Sequence, residues 1–149
     1  MRPNILLNTA LKFFAASAVG YLVSCIFHTQ IILSELSSLG IEITLRDQVK
    51  THISDFVGLA PRYGTVLFLG FLLAFITTTL LIKKFAMPPL PLLALSGAVA
   101  VYVILLILQS LMDIALLASA RNTLGIVMHC MSGSIAGISL YLFNKASYL

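Results

Sequence analysis

Polar and apolar positions in this chain come in long blocks. Four stretches hold no Asp, Glu, Lys or Arg: Phe13 to Ser34, Tyr63 to Ile82, Phe85 to Met112 and Asn122 to Asn144. Each reaches the roughly 20 residues that a helix needs to cross the hydrocarbon core of a bilayer. The pattern predicts four spanning helices, over about residues 5–27, 63–82, 91–112 and 122–144. The last block is the most ordered. At 3.6 residues per turn, Arg121, Asn122, Gly125, His129, Ser132, Gly133, Ala136 and Gly137 share one side, and Leu124, Val127, Met131, Ile135, Ile138 and Leu142 the other. A small, polar face of that kind packs against protein, which puts His129 among helices. Gly133 and Gly137 form a GxxxG element, and Ala16, Gly20 and Ser24 form a small-xxx-small series on the first helix. Both predict close backbone approach, with a partner inside the same chain or in another subunit.

Residues 28–62 are the longest polar region. His28 to Ser38 is expected to prolong the first helix beyond the membrane until Gly40 ends it as a C-terminal cap. Thr44-Leu45-Arg46-Asp47 has the spacing of a helix start, and an amphipathic helix is predicted over about residues 44–57. Leu45, Val49, Ile53, Phe56 and Val57 lie on its apolar side; Arg46, Gln48, Lys50, Thr51 and Asp55 are distributed around the rest, with His52 solvated. Such a helix lies in the headgroup plane, covers its own bundle, or docks a partner. Pro61 is expected to open the second span as a first-turn proline. From Gly64 to Ile82 nothing is more polar than Thr77-Thr78-Thr79, so this span reads as a lipid-facing wall. Met87-Pro88-Pro89-Leu90-Pro91 makes a stiff turn into the third span, which carries Ala98, Tyr102, Gln109 and Asp113 on one face. Ile114 to Ala120 is too short to cross and leads to Arg121. With no repeat or linker, residues 1–149 read as one domain. The predicted fold class is an all-α integral membrane protein: four transmembrane helices in a bundle, with an extracytoplasmic amphipathic helical segment between helices 1 and 2.

Composition removes the soluble classes. Of 149 residues, 60% are hydrophobic and 9% charged, whereas soluble domains carry about a quarter charged residues. The net charge of +4 comes from nine basic residues scattered singly or as the pair Lys83-Lys84. That is no nucleic-acid surface; it suits topology determinants and contacts to membrane lipids. Arg2, Lys12, Lys83, Lys84 and Lys145 fall on one side of a four-span chain, and Arg46, Lys50, Arg62 and Arg121 on the other. The adjacent lysines in a short loop place both termini in the cytoplasm, and the small size and compact loops suggest a bacterial inner membrane. A competing reading takes Arg2, Lys12, the apolar Phe13 to Val23 and Leu22-Val23-Ser24-Cys25 as a lipoprotein signal cut before Cys25.

The outer half of the predicted bundle collects the candidate chemistry: His28, Gln109, Asp113, Arg121 and His129, with Ser17, Tyr21 and Ser24 on the face of His28. Ionisable groups at such depth need partners, so an Asp113–Arg121 pair and hydrogen-bonded histidines are expected. Asp113, Arg121 and His129 would also suit an ion or proton path in a small homo-oligomeric transporter or channel. His28 and His129, on antiparallel helices, would suit the axial positions of a b haem in an electron carrier, with Cys25 and Cys130 giving a soft-metal variant. No nucleophile stands beside a base and the only embedded acid is Asp113, so no catalytic residue is assigned. Little catalytic equipment, packing-grade small faces and a docking helix make a non-catalytic accessory or assembly subunit the leading expectation, with other membrane protein subunits as its partners.

Overall fold

The computed structural model describes residues 3–112 and 123–148, and every element in them is helical. The order is α1 (Pro3–Ser38), α2 (Leu45–Leu59), a π-helical turn (Ala60–Gly64), α3 (Thr65–Phe85), α4 (Pro89–Met112) and α5 (Thr123–Tyr148). Among the described residues, four helical stretches are long and apolar enough to cross a membrane: Leu7–Ser38, Leu45–Phe85, Pro89–Ser110 and Thr123–Lys145.

The reversal between α1 and α2 is capped at both ends. Gly40 takes a positive φ of 81°, which a residue without Cβ adopts freely. Its N–H donates to the Ser37 carbonyl at 3.0 Å and the Ile41 N–H to the Leu36 carbonyl at 3.3 Å, the paired closure of a Schellman end. Thr44 then starts α2 with a capping box. Its hydroxyl oxygen accepts from the Asp47 N–H at 3.3 Å, and the Asp47 carboxylate accepts from the Thr44 N–H at 3.3 Å.

Pro61 does not open a separate span. The chain stays helical from Leu45 to Phe85, and Pro61 sits at the start of the π turn. Proline brings no N–H and its ring crowds the carbonyl four residues back; widening the turn lets the helix pass it. The Phe56 carbonyl, just ahead of this irregularity, accepts from the Tyr21 hydroxyl at 2.5 Å. The Tyr21 ring lies against Gly64, where a Cβ would come within 3.3 Å of it.

Nor is α3 a plain wall. Tyr63 in the π turn, then Leu67, Phe71, Phe75, Thr78 and Ile82, form a buried stripe, while Leu69, Leu73, Ile76 and Leu80 face outward. A span that is apolar all round does not announce its inner face; the aromatic residues decide it. Phe13 of α1 meets Phe68 edge-on at 5.0 Å and Phe75 at 6.3 Å, and Phe71 stacks on Phe75 at 5.3 Å.

Helix α5 lies between α1 and α4, and α3 lies against α4. The α4–α5 contact is backbone on backbone. A Cβ on Gly97 would fall 2.0 Å from the Gly133 carbonyl oxygen, one on Gly133 2.2 Å from that of Gly97, and one on Gly137 2.0 Å from that of Leu93. Across α1 and α5, Ala16 and Ala136 are buried, and a Cβ on Gly20 would lie 2.7 Å from that of Ala136. The GxxxG element thus faces Gly97 within the chain. That contact also sets the rotation of α4, burying Leu93, Val101, Ile104 and Leu105 and turning Tyr102 outward, so the face grouped through Ala98, Tyr102 and Gln109 is not the inner one.

Gly97→Ala or Gly133→Ala is expected to destabilise the bundle by about 1–3 kcal/mol or more, because the obstacle is backbone and has no rotamer to yield. Gly58→Ala, with nothing within 4 Å of the new methyl, should instead stabilise by up to about 1 kcal/mol. Thermal unfolding midpoints in one detergent check both.

Candidate functional site

Three elements converge on a buried polar node. Ser24 comes from α1, Tyr63 from the π turn and His129 from α5, and all three are fully buried. The Ser24 Oγ lies 2.7 Å from His129 Nδ1 and 2.9 Å from the Tyr63 hydroxyl, which is itself 3.4 Å from Nδ1. With the His129 proton on Nε2, Tyr63 donates to Ser24 and Ser24 donates to Nδ1, so each hydroxyl proton has an acceptor. The Tyr63 ring meets the imidazole edge-on at 5.9 Å. The Ser132 hydroxyl donates to the His129 carbonyl at 2.6 Å within α5.

His28, one helical turn beyond Ser24, is also buried, its ring centre 6.3 Å from that of His129. Next to it the buried Thr29 hydroxyl lies 2.9 Å from Asp55 Oδ2 and 3.0 Å from the Cys25 carbonyl oxygen. The Thr29–Asp55 contact ties α1 to α2 through a carboxylate acceptor, stronger than a neutral pair.

Of the expected polar cluster, His28 and His129 are brought together. Gln109 is half-buried near the end of α4, and Asp113 and Arg121 lie outside the described residues. Ala16, Gly20, Ser24, Gly133 and Gly137 are all buried in helix contacts, Ser24 serving as well as the centre of the node. The apolar residues of α2 are exposed: Leu45 80%, Val49 61%, Ile53 61%, Phe56 41% and Val57 64%. Phe56 also leans on the Tyr21 ring at 5.4 Å. His52 is half-buried rather than solvated, its Nδ1 2.9 Å from the Gln48 carbonyl oxygen. Tyr63, Thr29 and Asp55 were not singled out from sequence. A tyrosine at the mouth of an apolar block resembles an interfacial anchor, and an aspartate on an amphipathic helix resembles a solvated one.

The node does not fit a haem. A macrocycle between His28 and His129 would need α1 and α5 held apart, whereas Ser24 on α1 bonds His129 on α5 directly and the two helices touch at Gly20 and Ala136. Among the described residues no group of three His, Cys, Asp or Glu side chains is placed to hold a metal ion. The cysteines are free, Cys25 buried and Cys130 half-buried. What the arrangement does chemically is lock three helical elements together through groups that are costly to leave unpaired. No protein family, curated protein or solved structure matches the chain at a significant level.

Two serines on the same helix separate this role from mere burial. Ser24→Ala removes the shared partner of Tyr63 and His129 and is expected to cost about 1–3 kcal/mol. Ser17→Ala should be neutral or stabilising, because the buried Ser17 hydroxyl has no hydrogen-bond partner among the described residues. Unfolding midpoints of the two variants, compared in one detergent, test the contrast.

Proposed function

We propose that this chain is a non-catalytic accessory or assembly subunit of a larger membrane protein complex. In this reading it resides in a bacterial inner membrane with both termini in the cytoplasm and the α1–α2 hairpin outside. The observation that carries it is the orientation of α2. A helix serving as a lid would bury its apolar side on its own bundle; α2 does the reverse. Its half-buried residues are Gln48, Thr51, His52, Asp55 and Leu59, whereas Leu45, Val49, Ile53 and Val57 face outward. The hairpin is capped at both helix ends and pinned by Thr29–Asp55 and Tyr21–Phe56, so the apolar stripe is presented on a fixed support. An apolar stripe held outward in this way marks an interaction surface. The orientation rests on Lys83 and Lys84 at one end of the bundle and Arg46, Lys50 and Arg62 at the other, the paired lysines in the last turn of α3, beside its short connection to α4, being the stronger signal.

Transport through Asp113, Arg121 and His129 in a homo-oligomer is the second reading. It gains less support, because the His129 Nδ1 is engaged by Ser24 and the α4 and α5 backbones touch without leaving a path between them.

Val49→Asp combined with Ile53→Asp should remove the chain from its complex and leave its own folding intact, since both side chains are exposed. Phe56 is spared because of its contact with Tyr21. Blue-native electrophoresis of gently extracted membranes reads the result. A wild-type chain that migrates as a bare monomer or homo-oligomer sinks the subunit reading.

A further inference from the structure

We infer that the end of the bundle opposite the α1–α2 hairpin holds acidic phospholipid, with the turn between α3 and α4 as its main contact. The inference goes beyond the subunit reading and needs only that the four apolar helices sit in a bilayer. The helix contacts fix which residues share this end. Ser24 of α1 meets Tyr63 and His129, whereas Phe13, earlier in α1, meets Phe75, and Gly20 meets Ala136. Helix α1 is thus antiparallel to α3 and α5. Helix α4 is antiparallel to α5 in turn, with Gly97 against Gly133 and Leu93 against Gly137. The start of α1, the end of α3, the start of α4 and the end of α5 therefore lie together.

Side-chain charge at this end has one sign. Lys12, Lys83, Lys84 and Lys145 belong to it, Lys12 half-buried and the other three exposed. The five acidic residues of the chain are Glu35, Glu42, Asp47, Asp55 and Asp113. The first four lie in or beside the hairpin, and Asp113 follows Met112, the last residue of α4 and so at the hairpin end. No acidic side chain of the protein is available to these lysines. Their counter-charge comes from outside the chain.

The surroundings of Lys83 and Lys84 say what supplies it. Exposed apolar residues stand on both sides of the pair: Leu80 and Leu81 before it, Phe85, Met87 and Leu90 after it. The Lys84 Nζ lies over the Phe85 ring, 5.5 Å from its centre, so the cation is held beside an apolar group rather than extended away from it. In water this turn would leave Phe85 and Met87 wetted. In the headgroup layer they meet the upper acyl chains while the ammonium groups reach phosphate. An acidic soluble protein could match the lysines, but not Leu80 and Leu81 one turn deeper; a lipid matches both, because its phosphate and its chains are one molecule. The sign of the headgroup follows from the missing acids. A zwitterionic head brings an ammonium beside its phosphate, and this end has no acidic side chain to receive it, whereas an acidic head brings none.

The test reconstitutes the full chain into vesicles of phosphatidylcholine and phosphatidylglycerol in equal amounts and counts the lipids it retains by native mass spectrometry. Phosphatidylglycerol should be retained over phosphatidylcholine by about tenfold or more. Lys83→Gln with Lys84→Gln should bring the ratio close to one, at about fivefold for each lysine. Arg46→Gln with Lys50→Gln removes two exposed cations from the hairpin instead and should leave the ratio as it was. That contrast separates a site at this end from attraction to the net charge of the chain. Equal retention of the two lipids overturns the proposal, as does a ratio that the lysine variant leaves unchanged or that the hairpin variant lowers as far. If the lysines hold an acidic protein, the lysine variant loses that partner on native gels while the lipid ratio stays put, and the proposal falls. The ratio is read on the isolated chain, so its failure and the failure of the subunit reading are separate results.

Discussion

The contact of two glycines, Gly97 and Gly133, governs the arrangement of the other helices. Where side chains are uniformly apolar, helices gain little from merely meeting; close approach of backbones, with the dispersion contacts it allows, is what selects one packing over another. With atoms of the two helices this near, neither α4 nor α5 can rotate. Val101 is held inside and Tyr102 outside, and His129, one turn from Gly133, points to the centre. The polar node follows from that rotation, because Ser24 and Tyr63 find the imidazole only when α5 presents it. Side-chain polarity alone does not dictate this: Gln109 and Tyr102 are polar too, and neither is fully buried.

The parts legible in the sequence are those whose physics is local. Four apolar blocks, the glycine that stops α1, the threonine that starts α2 and the small face of α5 are written in adjacent residues and recur at the expected places. The inner face of α3 was hidden, because a stretch of Val, Leu, Phe and Ile has no polar side to betray which way it turns. Gly97 was hidden for a different reason. A single glycine in a span carries no motif, although its neighbours Ala94 and Ala98 were a clue to a close approach. Tyr63 and Asp55 belong to the node and to the hairpin brace only because α1 passes beside them, and no spacing within 45–63 encodes the position of Ser24 and Thr29.

Helix α2 shows how a pattern read correctly can mislead about direction. Its apolar and polar sides are where the periodicity puts them, yet the polar side is turned inward, towards α1. Two side-chain links account for this. Asp55 would leave a carboxylate acceptor unused if it turned away from Thr29, and the Phe56 carbonyl, close to a proline that has no N–H to give, gains a donor in Tyr21. These two hydrogen bonds thus decide which side of α2 faces α1, and the apolar stripe is turned away from it.

The π turn at Pro61 also acts as a clock between the two halves of the longest helix. A π turn holds one residue more than the α turn it replaces, and each residue in an α-helix advances the side chains by about 100°. The direction in which Val49 and Ile53 point, relative to Tyr63 and Phe71, is therefore set by the residue count between Ala60 and Gly64. Loss of one residue there would swing the upper helix by more than a quarter turn while leaving every side chain of both halves unchanged. A single-codon deletion there would thus turn the stripe to a new direction and, in doing so, part Asp55 from Thr29 and Phe56 from Tyr21.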